Sequence, residues 1–235
     1  GSYLFLRDMR SGAVWSAGHQ PSGVEADSYE VDYAEDHAAF SRRDGSIETG
    51  LTIVVSAEHD AEIRRVSLTN LGSRVREIEL TSYAEIVLGP QAADVAHPSF
   101  ENLFVETEFV PDIGALLATR RPRSSDERPI WAAHVVAVEG QARGAIQYET
   151  DRARFLGRGR SIRSPVSVID GRPLSDTVGS VLDPNFSLRC RIRLAPGPTA
   201  HAIFSTVVAE SRQGAMGLAA TYREAAAFEG AADRA

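Results

Sequence analysis

Lysine is absent from this sequence of 235 residues, and cysteine occurs once, as Cys190. All 25 basic residues are therefore arginines, so no lysine amine is available for Schiff-base or general-base chemistry. A single cysteine cannot form a disulfide within the chain, so packing must supply the stability. We interpret Cys190 as a small residue within a strand.

Long apolar runs and an excess of positive charge are missing as well. No run of about 18 apolar residues occurs, so no segment is expected to span a membrane. No charged segment followed by an apolar one is visible at the start, so the sequence shows no signal peptide. The net charge of −7 disfavours nucleic acid or an anionic membrane as the main partner.

The common motifs of catalysis and metal binding are not found either. The six histidines are far apart along the chain and no cysteine pair accompanies them, so we expect no metal and no cofactor. The nucleophile motifs G-x-S-x-G and S-x-x-K and the Walker phosphate loop are absent. A glycosidase pair of carboxyl groups cannot be recognised among 32 acidic residues.

Strand-like alternation dominates what is present. The β-branched run at 51–60 comes first, and 61–70 and 75–88 alternate around a short turn containing Gly72, which predicts a long β-hairpin. Turns rich in Gly and Pro separate the later segments, which favours a large antiparallel sandwich of two sheets. The further predicted strands lie within 102–110, 114–121, 130–140, 144–150, 187–197 and 199–211.

Three regions depart from this pattern. Residues 120–129 form a polar loop, and 154–185 is a long Gly-, Pro- and Arg-rich segment, which is typical of a functional or packed loop. Its arginines, including the candidate ligand-binding residues Arg158 and Arg160, could hold an anion such as phosphate or pair with carboxylates. From residue 210 the chain becomes Ala-rich with a helical period, which predicts a helix.

Two tryptophans are candidates for stacking on a sugar ring. Trp15 lies in a polar stretch near His19 and Gln20, and an aromatic ring flanked by planar polar groups suits a pyranose. Trp131 lies in a predicted strand close to His134, and core packing is its alternative. The acidic and aromatic segment 30–36 is interpreted as the solvated edge of a sheet.

Several long stretches resemble a known family. "LRDMRSGAVWSAGHQP" is similar to the opening motif of the amino-terminal β-domain of glycoside hydrolase family 94, and "RRVSLTNLGSRVREIELTSYAEIVL" is similar to a hairpin there. Other stretches resemble the cyclic β-1,2-glucan synthases of this family, and the similarity covers nearly the whole chain. They are "AHPSFENLFVETEF", "RRPRSSDERPIWAAHV", "YETDRARFLGRGRS" and "GRPLSDTVGSVLDPNFSLR".

The resemblance implies a fold and a role. It implies an all-β supersandwich of the galactose-mutarotase type over 1–209, and the start of a helical linker to an (α/α)6 barrel over 210–235. In the family the general acid belongs to the barrel, so the chain by itself is expected to be a non-catalytic, carbohydrate-binding or scaffold domain. Its partners would be β-1,2-glucan and that barrel, and Trp15 would either stack on the glucan or seat against the barrel. The parent is expected at the cytoplasmic face of the bacterial inner membrane, with this segment soluble.

Two alternatives remain open at this stage. The first is a free-standing sugar epimerase of the mutarotase type, which needs a general acid and a general base in one concave sheet. His134 and Glu108 lie in predicted strands and are the candidates for these roles. The second is an interdomain spacer that does not contact sugar.

Overall fold

A computed structural model describes residues 1–122 and 127–234. This part of the chain forms fourteen strands and six helices. The strands are β1 (Ser2–Asp8), β2 (Val14–Ser16), β3 (Ser28–Tyr33), β4 (His37–Asp44), β5 (Ile47–Val55), β6 (Ala61–Asn70), β7 (Arg76–Glu85), β8 (Val105–Val110), β9 (Ala115–Arg120), β10 (Trp131–Glu139), β11 (Gln141–Ala142), β12 (Gln147–Asp151), β13 (Pro184–Leu194) and β14 (Thr199–Ala209). The helices are α1 (Gln91–Ala96), α2 (Pro98–Asn102), α3 (Arg152–Leu156), α4 (Val166–Ile169), α5 (Arg212–Tyr222) and α6 (Ala226–Ala232).

The strands form two antiparallel sheets, which confirms the predicted sandwich. The smaller sheet has six strands in the order β11-β13-β7-β1-β2, with β12 also paired to β13. The larger sheet has eight, in the order β3-β4-β5-β6-β14-β10-β9-β8. Alternate residues of each strand point into the space between the sheets, where a continuous apolar core includes Leu6, Val66, Leu80 and Phe204.

The predicted hairpin of 61–70 and 75–88 is wrong, although both segments are strands. β6 pairs with β5 and β14 in the larger sheet, whereas β7 pairs with β1 and β13 in the smaller one. The Asn70 amide donates to the carbonyl oxygens of Arg74 and Leu194, and its oxygen accepts from the Gly72 N–H. These bonds hold a turn that carries the chain from the larger sheet to the smaller one. β6 and β7 therefore face each other across the core and do not pair as neighbours in one sheet.

An outer layer covers each sheet. On the larger sheet, Ala215, Ala219, Tyr222 and Phe228 of α5 and α6 complete a second apolar cluster with residues of β5, β6, β9, β10 and β14. The predicted helix is thus confirmed as two short helices. Ser211 caps α5 by accepting the N–H of Gly214.

The long segment 154–185 covers the outer face of the smaller sheet. Phe155, Val168 and Leu174 pack with Phe5 and Tyr83 in a third cluster, so the segment is packed against its own sheet. Most of 170–182 has no regular secondary structure. The predicted loop at 120–129 lies partly outside the described residues. No helix in the described ranges is long and apolar enough to cross a membrane.

Candidate functional site

Trp15 is a core residue, which corrects the prediction of an exposed ring. Only 3% of its surface is exposed, and it packs in the cluster between the sheets. Its Nε1–H donates to Thr49 Oγ1 of β5 at 3.4 Å. A pocket of about 380 Å³ reaches Trp15, but the Asp8 and Asp44 carboxylates that line it are paired with Arg76 and Arg42. With both ring faces covered, Trp15 cannot stack on a sugar in this structure.

His19 and Gln20 lie on the loop that follows β2, away from the buried face of Trp15. The His19 ring is half-buried, with its centroid 6.2 Å from that of Tyr29 on β3, and its backbone N–H donates to the Tyr29 hydroxyl. Gln20 is exposed. The structure therefore brings His19 together with an aromatic residue of the sheet edge. The sequence prediction did not include this partner.

The remaining candidate ligand-binding residues do not converge on this place. Trp131 is half-buried and packs against the cluster beneath α5 and α6, which favours its alternative, core packing. Arg160 pairs with Asp170 at 2.8 Å, while Arg158 is exposed on the loop after α3. No site that combines the two tryptophans with these arginines is formed.

The histidine and glutamate proposed for an epimerase lie on opposite faces of the larger sheet. His134 points into the core, where its ring nitrogens bond to the hydroxyls of Ser82 and Thr206. Glu108 of β8 is opposite Leu117 of β9, a residue of the outer cluster, so it points outward. Its Oε1 lies 2.6 Å from Nε of Arg212 on α5. A substrate therefore cannot lie between these two groups, and they cannot act as an acid and base pair.

A groove of about 730 Å³ runs along one end of the sandwich. Residues 85–87, α1, α2 and residues 182–184 line it, together with Arg152 at the start of α3. The buried ion pair of Glu101 with Arg120 of β9, at 2.8 Å, anchors α2 to the larger sheet. The sandwich therefore holds one wall of the groove in place.

A polar network closes one side of the groove. Arg152 donates from Nε to the Tyr83 hydroxyl and from Nη1 to Asp183 Oδ2, both at 2.8 Å. Tyr83 in turn donates to Glu85 Oε1. Burial and the Glu85 carboxylate raise the pKa of Tyr83 far above its usual value, so its hydroxyl stays protonated. Each charge has a partner, which suits a rigid support better than proton transfer.

Exposed apolar side chains border the groove. Val87, Leu103 and Leu182 line the groove, and Val95 and Phe100 are exposed on α1 and α2, the helices beside it. We call these five residues the apolar rim, and Val95 and Leu182 are 74% and 79% exposed. This grouping was not predicted from the sequence, because the segments that carry Val95, Phe100 and Leu182 show no strand or helical period. Large apolar side chains gathered at one end are typical of an interaction surface.

The described residues contain no group of three or more His, Cys, Asp or Glu side chains placed to hold a metal ion. The groove combines paired charges, an anchored helix and an apolar rim.

Comparison with curated proteins gives a glucan synthase and a phosphorylase among the relatives. The chain is 38% identical to the cyclic beta-(1,2)-glucan synthase NdvB of Rhizobium meliloti over 91% of its own length and 8% of that protein. It is 29% identical to solabiose phosphorylase of Paenibacillus borealis over 80% of its length and 24% of that enzyme. The chain thus spans less than a quarter of the length of these relatives.

A solved structure shares the fold at low identity. A bacterial glucoamylase complexed with acarbose superposes with a TM-score of 0.58 and 10% identity, covering 99% of this chain and 30% of that one. The family model for the supersandwich domain of glycosyl hydrolase 94 matches residues 1–225. The chain belongs to this family and is its supersandwich domain.

Proposed function

We propose that this domain is a non-catalytic scaffold of a larger glucan-processing polypeptide. In this role it packs on a catalytic (α/α)6 barrel of the same chain and helps to shape the glucan cleft. The parent would be a cyclic β-1,2-glucan synthase, in line with the similarity to the Rhizobium meliloti synthase. We place this parent at the cytoplasmic face of the inner membrane as part of the proposal.

The apolar rim is the observation that carries this proposal. Three of its large apolar side chains line one groove, and the other two are exposed on the adjacent helices. Burying such a surface against a partner is favourable by about 25 cal/mol for each Å² of apolar area removed from water. The buried Glu101–Arg120 pair holds α2, one element of the rim, in place. At α2, a partner surface would therefore meet a preformed element and would not have to order it.

The relatives supply the second argument. Because the chain spans 8% of the synthase and 24% of the solabiose phosphorylase, most of each related polypeptide lies outside the matching region. A domain of such a protein needs an interface with its neighbours, and the rim offers one. The separation of His134 from Glu108 removes the pair on which the epimerase alternative depended.

Co-expression tests the scaffold role. The chain and the rest of its parent polypeptide would be produced as two separate segments, and association would be measured by co-purification. Val95→Asp combined with Leu182→Asp should abolish association, because two charges would be desolvated at the interface. Val55→Asp is the matched control, since Val55 is 63% exposed and is not part of the rim.

The circular dichroism spectrum of each variant would establish that it is folded. Retained association of the double variant, or equal loss with Val55→Asp, would contradict the rim as the docking surface. An interdomain spacer predicts no specific loss for either variant.

A further inference from the structure

The larger sheet extends beyond the smaller one at its β3 edge. Trp15 of β2, the outermost strand of the smaller sheet, contacts Thr49 of β5, and β4 and β3 follow beyond β5. All six residues of β3 are exposed. This edge is distant in sheet order from β8 and β9, to which α2 is anchored, so it is a surface separate from the apolar rim.

Aromatic side chains gather on the inner face of this overhang. Val31 is opposite Phe40, and Phe40 packs against the core between the sheets, so Tyr29, Val31 and Tyr33 share that face. Tyr33 is 75% exposed and meets Phe40 edge to face at 6.1 Å. We call Tyr29, Val31, Tyr33 and Phe40 the aromatic ledge.

The ledge continues into a shallow trough. Tyr33, Ala38, Ile53 and Arg64 are in register across β3 to β6, a span of about 14 Å at the usual strand spacing. Ala38 has a short side chain between the Tyr33 ring and the Ile53 side chain. Arg64 closes the far side of the trough, and its Nε lies 2.6 Å from Oε1 of Glu62. The trough therefore has an aromatic wall, an apolar floor and a polar wall.

Charge selects the kind of ligand. The opposite face of β3 carries Glu30 and Asp32, and Glu35 and Asp36 follow directly. On the inner face, Arg42 pairs with Asp44 and Arg64 pairs with Glu62. An anion would be repelled by these nearby charges, whereas a neutral ligand with apolar C–H faces could stack on the rings of the inner face without that repulsion.

We propose that the aromatic ledge binds a neutral glucan chain, with the Tyr33 ring stacked on one pyranose. This inference rests on the proposed function only in taking a glucan as the ligand. It assigns the sugar contact to a face other than the apolar rim, where the barrel is proposed to dock. His19, half-buried beside Tyr29, lies at one end of the ledge. The sugar contact predicted for Trp15 is thereby assigned to β3.

NMR titration of the chain with a linear β-1,2-linked gluco-oligosaccharide tests the ledge. Saturable shifts of the Tyr33 and Tyr29 ring signals are expected at millimolar sugar. Tyr33→Ala should weaken binding about fivefold or more, since stacking on an exposed ring contributes roughly 1 kcal/mol. Tyr33→Phe keeps the ring and should bind nearly as the parent chain does. Leu182→Ala is the distant control, and a sulfated oligosaccharide of equal length should bind more weakly.

Two results would overturn the ledge. One is equal affinity of Tyr33→Ala and the parent chain, or shifts confined to other regions. The other is β3 amide shifts that follow protein concentration without sugar, since an open strand edge can instead pair with a second copy. Either result would leave docking through the apolar rim intact, because co-purification tests that role separately.

Discussion

His134 lies between the two sheets, where the fold keeps its ring neutral. Ser82 Oγ and Thr206 Oγ1 each lie 2.9 Å from a ring nitrogen, and the ring stacks near Phe186 and Phe204. Burial, with a smaller contribution from the positive charge of Arg64, lowers its pKa to about 3. The residue is therefore a neutral polar link between the sheets.

We expect this link to make stability depend on pH. The folded pKa of about 3 lies below the value of about 6.5 for an unfolded histidine. Between these values the unfolded chain binds more protons, so the free energy of unfolding falls as the pH decreases, by at most about 1.4 kcal/mol per pH unit. His134→Gln should remove this part of the slope in urea unfolding between pH 4 and 7.

The exposed His97 is the control for this measurement. His97→Gln leaves the buried link intact and should retain the pH dependence of the parent chain. An unchanged slope in His134→Gln would show that other groups cause the loss of stability in acid.

At the scale of elements, Arg42 of β4 fixes the loop that joins β2 to β3. Its guanidinium is almost fully buried and donates to the carbonyl oxygens of Ser16, Gly18 and Val24. Asp44 accepts two further bonds at 2.7 Å. A single side chain thus determines where His19 lies relative to Tyr29.

Replacing Arg42 with methionine should loosen this loop. Arg42→Met leaves the Asp44 charge and three carbonyl groups without their donor, so the free energy of unfolding should fall by about 3–5 kcal/mol. Limited proteolysis should show faster cleavage within 17–27. Arg43→Met is the matched control, because Arg43 is exposed and its loss should cost less than about 1 kcal/mol. Equal protease resistance of both variants would contradict the anchoring role.

At the scale of the whole molecule, α5 and α6 form an integral layer on the larger sheet. The Tyr222 hydroxyl donates to Ser56 Oγ at 2.8 Å, and the Arg65 guanidinium lies 3.9 Å from the Phe228 ring centroid. The division into a sandwich at 1–209 and a linker at 210–235 remains a prediction. These contacts bear on it, because they join the two segments through a buried cluster.

Truncation after Ala209 tests this division. Removing both helices would expose Ile63, Val135, Ile203 and Val207, which are now almost fully buried. We expect increased binding of a hydrophobic dye, self-association in sedimentation and a lower melting temperature. Truncation after Ala232 keeps both helices and serves as the control. A monomeric, equally stable 1–209 fragment would show that the helices are an independent linker.

Much of the fold could be predicted from local patterns. Alternating residues identified β6, β7, β10, β13 and β14, and the helical period identified α5, because each pattern reflects which face of an element is buried. The choice of partner strand could not be predicted in this way. The alternation in 61–70 and 75–88 is equally compatible with a hairpin and with a crossing between the two sheets. The hydrogen bonds of the Asn70 side chain stabilise the crossing.

The sequence by itself determined the fold class, and the similarity of its long motifs determined the family. Which side chains are available for binding was decided only by the tertiary structure. Trp15 appeared exposed because its neighbours in sequence are polar, yet the larger sheet covers it. Tyr33 and Leu182 remain open to solvent because nothing in the described structure packs over them. Burial depends on elements distant in sequence, and a local pattern carries no information about them.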